Sequence, residues 1–454
     1  MQPNVLLIVL DSVRKDHLSC YGHSRETTPT IDELATESVR YNSAIAPGPS
    51  TPPSHASMFT GLYPSHHGVF SRHPYLDESI PVLAEQLANA GYHTLGFSNS
   101  FHTSRDRGFS RGFEYYHDIL NMNTFSDHIF ELSNDYLKFF VRYFLKGDDI
   151  SYFQENKLKT KISQYGEPFF GFINFNSAHI PYRPPERFET EFLEKFDQWD
   201  ELNEKFAWEL ADDAGDAYIM DNADPTDADW EFSKHLYDAE IAYMDALLAD
   251  LFQYLKQRGV FEETMIIVTS DHGEHFGEHG LAYHKFALSE ELINVPLVVK
   301  YPDSDNTGVS NELVSLVDLA PTIADLADIE LQSQVDGRSL LSDNEPEAVF
   351  AETGRPNTSQ RTRMLQHGSE ETFDQFDKGL QAIRTRDHKL ICDSEGGSTL
   401  YDINNGEVEI VDTDLTNYLE QRLGEMLGEL PSGETEEELS DRVEQHLRDM
   451  GYMG

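Results

Sequence analysis

Five short apolar runs constrain this chain more than any other feature: Val5–Leu10, Thr94–Phe97, Phe169–Phe175, Met265–Thr269 and Val295–Val299. None shows the strict in–out alternation of a half-exposed strand. A strand reads this way when both of its faces are buried, as in a parallel sheet covered by helices. Helix-like stretches lie between the runs: Ile31–Thr36, Ile80–Ala90 and a long one from about Phe232 to Gln257. The long stretch places Leu236, Ile241, Met244, Leu247, Leu248 and Leu251 at helical spacing. Strands alternating with helices predict an α/β/α sandwich around a mostly parallel sheet.

With 454 residues the chain exceeds what one core usually holds. Its texture changes after about residue 347. Ala348–Ala351, Leu380–Arg384, Lys389–Cys392 and Thr399–Ile403 read as short strands, separated by the turn signals Glu395-Gly396-Gly397 and Asn404-Asn405-Gly406. The expected division is therefore a catalytic domain over 1–346 and a small antiparallel α+β subdomain over 347–454, ending in acidic amphipathic helices over about 414–449. Two regions interrupt the main pattern. Residues 110–165, rich in Phe, Tyr and Leu, are expected to be helical and to cap the site. Residues 183–232, acidic and irregular with Trp199, Trp208 and Trp230, are expected to form a lid or a surface excursion.

The chain carries 81 acidic and 34 basic residues, a formal net charge of -47. Such a field repels nucleic acid and excludes a polyanionic partner. Acid runs such as Asp212-Asp213 and Glu436-Glu437-Glu438 lie among core-forming segments, so the charge reads as a strongly hydrated surface, as in halophiles, and not as a disordered tail. An anionic substrate would need a locally positive pocket. Cys20 and Cys392 are no disulfide framework. Met1-Gln2-Pro3-Asn4 has no basic character, the run Val5–Leu10 is too short for a signal peptide, and no segment approaches a membrane span. A soluble, cytoplasmic protein is expected, with no membrane partner.

Open α/β sheets bind ligands at the carboxyl ends of their strands. Asp11 follows the first run, Asp271 and His272 follow Met265–Thr269, and His179 lies just beyond Phe169–Phe175. Three strands thus deliver metal- or proton-competent groups to one edge.

The segment Thr51-Pro52-Pro53-Ser54-His55-Ala56-Ser57-Met58-Phe59-Thr60-Gly61 resembles the sulfatase signature, in which Cys or Ser, a variable residue and Pro-Ser-Arg open a helix ending in Thr-Gly. Asn4–Asp11, Thr269-Ser270-Asp271-His272-Gly273-Glu274, His179-Ile180-Pro181, His284-Lys285 and Leu400-Tyr401-Asp402 resemble further elements of that family. The chain is thereby identified as an acidic, haloarchaeal-type relative of the arylsulfatase-like branch of the alkaline phosphatase superfamily.

The resemblance implies one divalent cation on Asp11, Asp271, His272 and the Thr51 oxygen. It further implies Thr51 as nucleophile, Lys285 on the substrate's non-bridging oxygens, and His179 protonating the leaving group or contacting the anion. Ser12 stands where a second Asp is usual, His55 replaces Arg, and His272 replaces Asn. These changes remove one carboxylate and add a nitrogen, leaving Mn²⁺, Ca²⁺ and Zn²⁺ open. Asn99 and His102 fall near a Lys-and-His element, and His284 is divided between the site and the surface. His66 and His67 read as structural turn residues, and Ser54 as the helix N-cap. Thr51 cannot become the formylglycine that sulfatases make from Cys or Ser. A small anionic phosphate, phosphonate or phosphodiester substrate is therefore expected, with a sulfate ester as the alternative and an inactive anion-binding protein as a third possibility.

Overall fold

The computed structural model describes residues 2–118, 150–211, 214–342, 344–404 and 406–429. Among the described residues fifteen strands follow one another: β1 (Asn4–Leu10), β2 (Val39–Ile45), β3 (His93–Ser98), β4 (Tyr115–His117), β5 (Phe169–Phe175), β6 (Thr264–Thr269), β7 (His275–Phe276), β8 (Ala282–Tyr283), β9 (Asn294–Lys300), β10 (Gly308–Ser315), β11 (Val349–Thr353), β12 (Leu380–Arg384), β13 (His388–Asp393), β14 (Ser398–Asp402) and β15 (Val408–Ile410). Eight of them form the main sheet, in the order β10-β2-β9-β6-β1-β5-β3-β4. Every pairing is parallel except those of β9, which runs antiparallel to both β2 and β6. The run Val295–Val299 was expected as a parallel strand. A strand buried on both faces reads as uniformly apolar whatever its direction, so composition carries no polarity signal there.

The two faces of β1 explain its unbroken apolar run. Leu6, Ile8 and Leu10 share a core with Leu236, Ile241, Met244 and Leu248 of the long helix Asp227–Arg258. Val5, Leu7 and Val9 point the other way, into a core with Ala56, Met58, Leu83, Leu87 and Ile323. The architecture is an α/β/α sandwich.

The long helix starts earlier than its apolar spacing indicates. Thr226 Oγ1 accepts from the Asp229 amide at 3.2 Å while Asp229 Oδ2 accepts from the Thr226 amide at 2.9 Å, a reciprocal cap. Gly259 closes it in the left-handed region, at φ 75°. Residues 183–232, expected to be irregular, contain the helices Glu186–Leu193, Glu204–Leu210 and Gly215–Ile219. They also bury Phe192, Phe196, Ala207 and Leu210. Few apolar residues spaced among many acids suffice when only one stripe of each short helix is covered.

In the expected cap, Tyr115–His117 is an edge strand and Ile150–Tyr165 a helix, while its middle lies outside the described residues. The second sheet is antiparallel, in the order β11-β12-β13-β14-β15. Leu419, Leu423 and Leu427 of the helix Thr413–Leu427 pack on its Ile383, Leu390 and Leu400. The remainder of the expected acidic helices lies outside the described residues. No helix among the described residues is long and apolar enough to cross a membrane.

Candidate active site

Strands β1, β5 and β6 are neighbours, and their carboxyl ends are level: Leu10 pairs with Phe175, and Val9 with Thr269. That register places the residues following each strand side by side. Asp11, Asp271 and His272 are fully buried, and one ligating atom from each lies within 4.8 Å of the others. His272 Nε2 stands 3.5 Å from Asp271 Oδ2 and 3.9 Å from Asp11 Oδ1. Its Nδ1–H donates to the Gly273 carbonyl at 2.9 Å, so the lone pair of Nε2 faces the two carboxylates.

Thr51 joins them from the other side. The helix Thr51–Thr60 begins at this residue, and Thr51 Oγ1 lies 3.4 Å from His272 Nε2. Ser50, in extended conformation, holds the N-cap position. Ser54 was expected there, but it lies inside the helix and its Oγ donates to the Gly48 carbonyl at 2.8 Å. Pro52 and Pro53 suit the first helical turn, because proline's fixed φ is preset for it, so the helix starts before Ser54 and leaves no cap position there. Pro52 and Pro53 also lack N–H groups. The turn therefore offers an anion the positive end of the helix dipole more than a nest of donors.

Ser12 serves this arrangement without adding a third carboxylate. Its Oγ donates to Asp11 Oδ1 at 2.9 Å and its amide to Asp271 Oδ1 at 3.1 Å, from a left-handed backbone at φ 64°. His55 is buried, donates from Nδ1 to the Thr51 carbonyl at 3.0 Å, and leaves Nε2 without a partner. His179 donates from Nδ1 to the Ile180 carbonyl at 2.7 Å. The His284 ring centroid is 4.9 Å from that of His179 and 4.4 Å from that of His272. His284, partly buried, therefore lies beside both of those rings. Lys285 is largely buried, and its ammonium pairs with Asp216, whose other oxygen accepts from Arg363 Nε at 2.7 Å. His102 is exposed and accepts from Arg107 at 2.8 Å, while Asn99 is buried with Oδ1 unpartnered. His66 and His67, expected in a turn, end the one-turn helix Pro64–His67 and bond to Asp336 at 2.6 Å and Ser57 at 3.0 Å.

Four participants escaped the sequence reading. Asn174 donates to Asp11 Oδ2 at 3.3 Å. Its signal was present, as one polar residue at the carboxyl end of an otherwise apolar strand. Glu274 is fully buried, and its Oε1 meets His284 Nδ1 at 3.2 Å. Asp216 and Arg363 come from distant segments and carry no local pattern.

The electrostatics are those of carboxylates short of positive charge. Burial, and then Asp271, push Asp11 up to about 6, and burial pushes Asp271 up to about 7. Burial brings the His272 imidazole down to about 4, leaving it neutral. Asp271 Oδ2 has no hydrogen-bond partner. Two buried carboxylates, an imidazole lone pair and a hydroxyl converging on one point, with an orphaned oxygen, fit a divalent cation.

A family model for the sulfatases matches residues 3–329. The chain belongs to the sulfatase family. A model for the C-terminal part of N-sulphoglucosamine sulphohydrolase matches residues 277–429. The uncharacterized sulfatase YidJ of Escherichia coli is 27% identical over 429 residues, covering 90% of this chain and 82% of the relative. The N-acetylglucosamine-6-O-sulfatase of Bacteroides thetaiotaomicron is 24% identical, covering 86% and 78%. Among solved structures, the phosphonate monoester hydrolase of Agrobacterium radiobacter matches with a TM-score of 0.72 at 23% identity, covering 97% of this chain and 98% of that one. This sulfatase-family protein is an ester hydrolase of a metal-dependent family, and its fold is shared with both sulfatases and phosphonate hydrolases.

Proposed function

We propose that the protein hydrolyses phosphate, phosphonate or phosphodiester bonds through Thr51, with one divalent cation held by Asp11, Asp271, His272 and the Thr51 oxygen. The observation that carries the reading is Thr51 at the start of its helix, 3.4 Å from the inward nitrogen of His272. A cation bound there lowers the pKa of the hydroxyl and polarises the ester. Oγ1 of Thr51, its proton given up to solvent water, attacks phosphorus in line while the bond to the leaving alcohol breaks. His179, with Nδ1 tied to a backbone carbonyl, uses Nε2 to give that alcohol its proton. Lys285 and Arg363, gathered on Asp216, supply the positive charge that draws an anionic ester through an acidic surface. Water then attacks phosphorus, passing a proton to the Nε2 that His179 has emptied, and the bond to Oγ1 breaks, so that the threonine oxygen and His179 are both restored.

A threonine favours phosphorus over sulfur. Formylglycine releases sulfate by re-forming a carbonyl, an exit Thr51 lacks. The nitrogen of His272 favours Mn²⁺ or Zn²⁺ over Ca²⁺. That the Agrobacterium neighbour is a phosphonate monoester hydrolase supports this reading, and that the Bacteroides relative is an N-acetylglucosamine-6-O-sulfatase supports a sulfate ester as the second.

The test is a panel of 4-nitrophenyl sulfate, phosphate and phosphodiester with a phenylphosphonate ester, in high KCl with Mn²⁺, Ca²⁺ or Zn²⁺. Phosphorus-ester turnover is expected to fall by at least about 10³-fold in Thr51→Ala, with metal content retained. Turnover confined to the sulfate ester, or unchanged in Thr51→Ala, overturns the proposal.

A further inference from the structure

Between the site's His272 and strand β9 the chain makes a tight excursion. Strands β7 and β8 form a hairpin, and Glu291 follows on the short turn of helix Glu290–Ile293. The two parts touch: the Gly273 amide donates to the Leu292 carbonyl at 2.8 Å, and a Cβ at Gly273 would stand 1.9 Å from the Glu291 carbonyl oxygen. This contact brings His275, His279 and Glu291 together. A ring nitrogen of each histidine and a carboxylate oxygen of Glu291 lie within 4.8 Å of one another.

The local chemistry favours a cation. His279 Nε2 is 3.2 Å from Glu291 Oε2. His275 is fully buried, with Nε2 at 2.7 Å from the Ser289 hydroxyl and Nδ1 without any partner. A buried ring nitrogen left unpaired is rare unless something else completes it. Glu278 and Glu407 add negative charge around His279. Arg14 is the cation acting on this group, and Asp16 and Glu278 already occupy its guanidinium. The His279 side chain is 42% exposed, which gives an ion a way in.

The contrast with His17, His23 and Asp238 is instructive, since they too bring three ligating groups together. There the guanidinium of Arg25 already sits on Asp238 and neutralises it. Among the described residues no arginine or lysine pairs with Glu291, whose contact is with His279 itself.

We propose that His275, His279 and Glu291 form a second, structural divalent-cation site of the Zn²⁺ class, clamping the hairpin to the helix that precedes β9. Two imidazoles and one carboxylate suit Zn²⁺ and disfavour Ca²⁺ and Mg²⁺. The clamp holds both ends of the segment that carries His284 and Lys285, apart from the ligands of the reaction site.

The experiment loads the chelator-stripped full chain with Zn²⁺ in molar KCl and excess Mg²⁺, which saturates surface carboxylates, and counts protein-bound zinc after desalting. His279→Asn removes the ring while tolerating the left-handed backbone, φ 58°. Glu291→Gln removes the carboxylate. Wild type is expected to hold one equivalent more than each variant, with folding checked by circular dichroism. Loss of a different equivalent in Asp271→Asn reports the reaction site separately, so the two readings stand or fall independently. Equal zinc content in wild type and either folded variant overturns the second site.

Discussion

Lys285 is a buried ammonium whose charge depends on a partner from elsewhere in the chain. Burial brings it down to about 8, and the Asp216 carboxylate is what holds it up against that pressure. Without Asp216 the ammonium gives up its proton at lower pH. In Asp216→Asn the basic limb of the kcat/KM profile is therefore expected to move to lower pH, with KM rising more than kcat falls. A limb that stays in place shows that Lys285 does not set it. The Arg363 guanidinium, also on Asp216, is about half exposed and supplies a second cation beside the bound anion. A residual anion affinity in the variant is therefore expected.

Helices and strands were legible in proportion to how locally they are determined. Phe169–Phe175 and Leu380–Arg384 match their sequence-based bounds residue for residue, because apolar runs between turn signals leave little choice. The edge strand β10 was missed: its first half is exposed and polar, and its pairing with β2 is settled only by the fold. Asp11, Thr51, Asp271 and His272 were legible because strand ends and a helix start carry motifs. Asp216 and Arg363 were not, because their partners lie tens of residues away, and the depth of Glu274 was not, because burial is set by the fold around it.

Asp245 shows the same limit within one element. From the long helix it reaches across to accept the Thr30 and Ile31 amides, both at 2.9 Å, and so caps the helix Pro29–Thr36. Burial outweighs those bonds and raises its carboxyl from 3.8 to about 6. A raised carboxyl binds its proton more tightly when folded. Its stabilising contribution is thus complete below pH 3.8 and is lost as pH rises through 6. Asn cannot titrate. The stability difference, wild type minus Asp245→Asn, is expected to fall by on the order of 2–3 kcal/mol between about pH 4 and 7. Denaturant unfolding at each pH measures it, and a flat difference means the carboxylate is solvated.

At the scale of the whole molecule the dominant quantity is the net charge of -47, the difference between 34 basic and 81 acidic side chains. Salt acts on it in two opposing ways. It weakens exposed ion pairs such as Arg386 with Glu345 at 2.8 Å and Arg422 with Glu347 at 2.8 Å. Exposed pairs of this kind contribute roughly 0–1 kcal/mol each. Salt also screens the repulsion among unbalanced carboxylates, and these outnumber every cation the chain has. Repulsion is therefore expected to win, and the protein to gain stability as KCl rises from about 0.05 M toward 2 M. The form of the gain separates screening from water exclusion. The Debye length falls from about 10 Å at 0.1 M to about 3 Å at 1 M. A screening gain is steepest below roughly 0.5 M and then flattens. A gain from ion exclusion climbs steadily, as it does in a neutral osmolyte such as sucrose. Thermal melts in KCl and in sucrose of matched osmolality distinguish the two. A midpoint that does not respond to KCl below about 0.5 M would mean that the folded surface spaces its carboxylates far enough apart to tolerate dilute buffer, against the halophile-like reading of the composition.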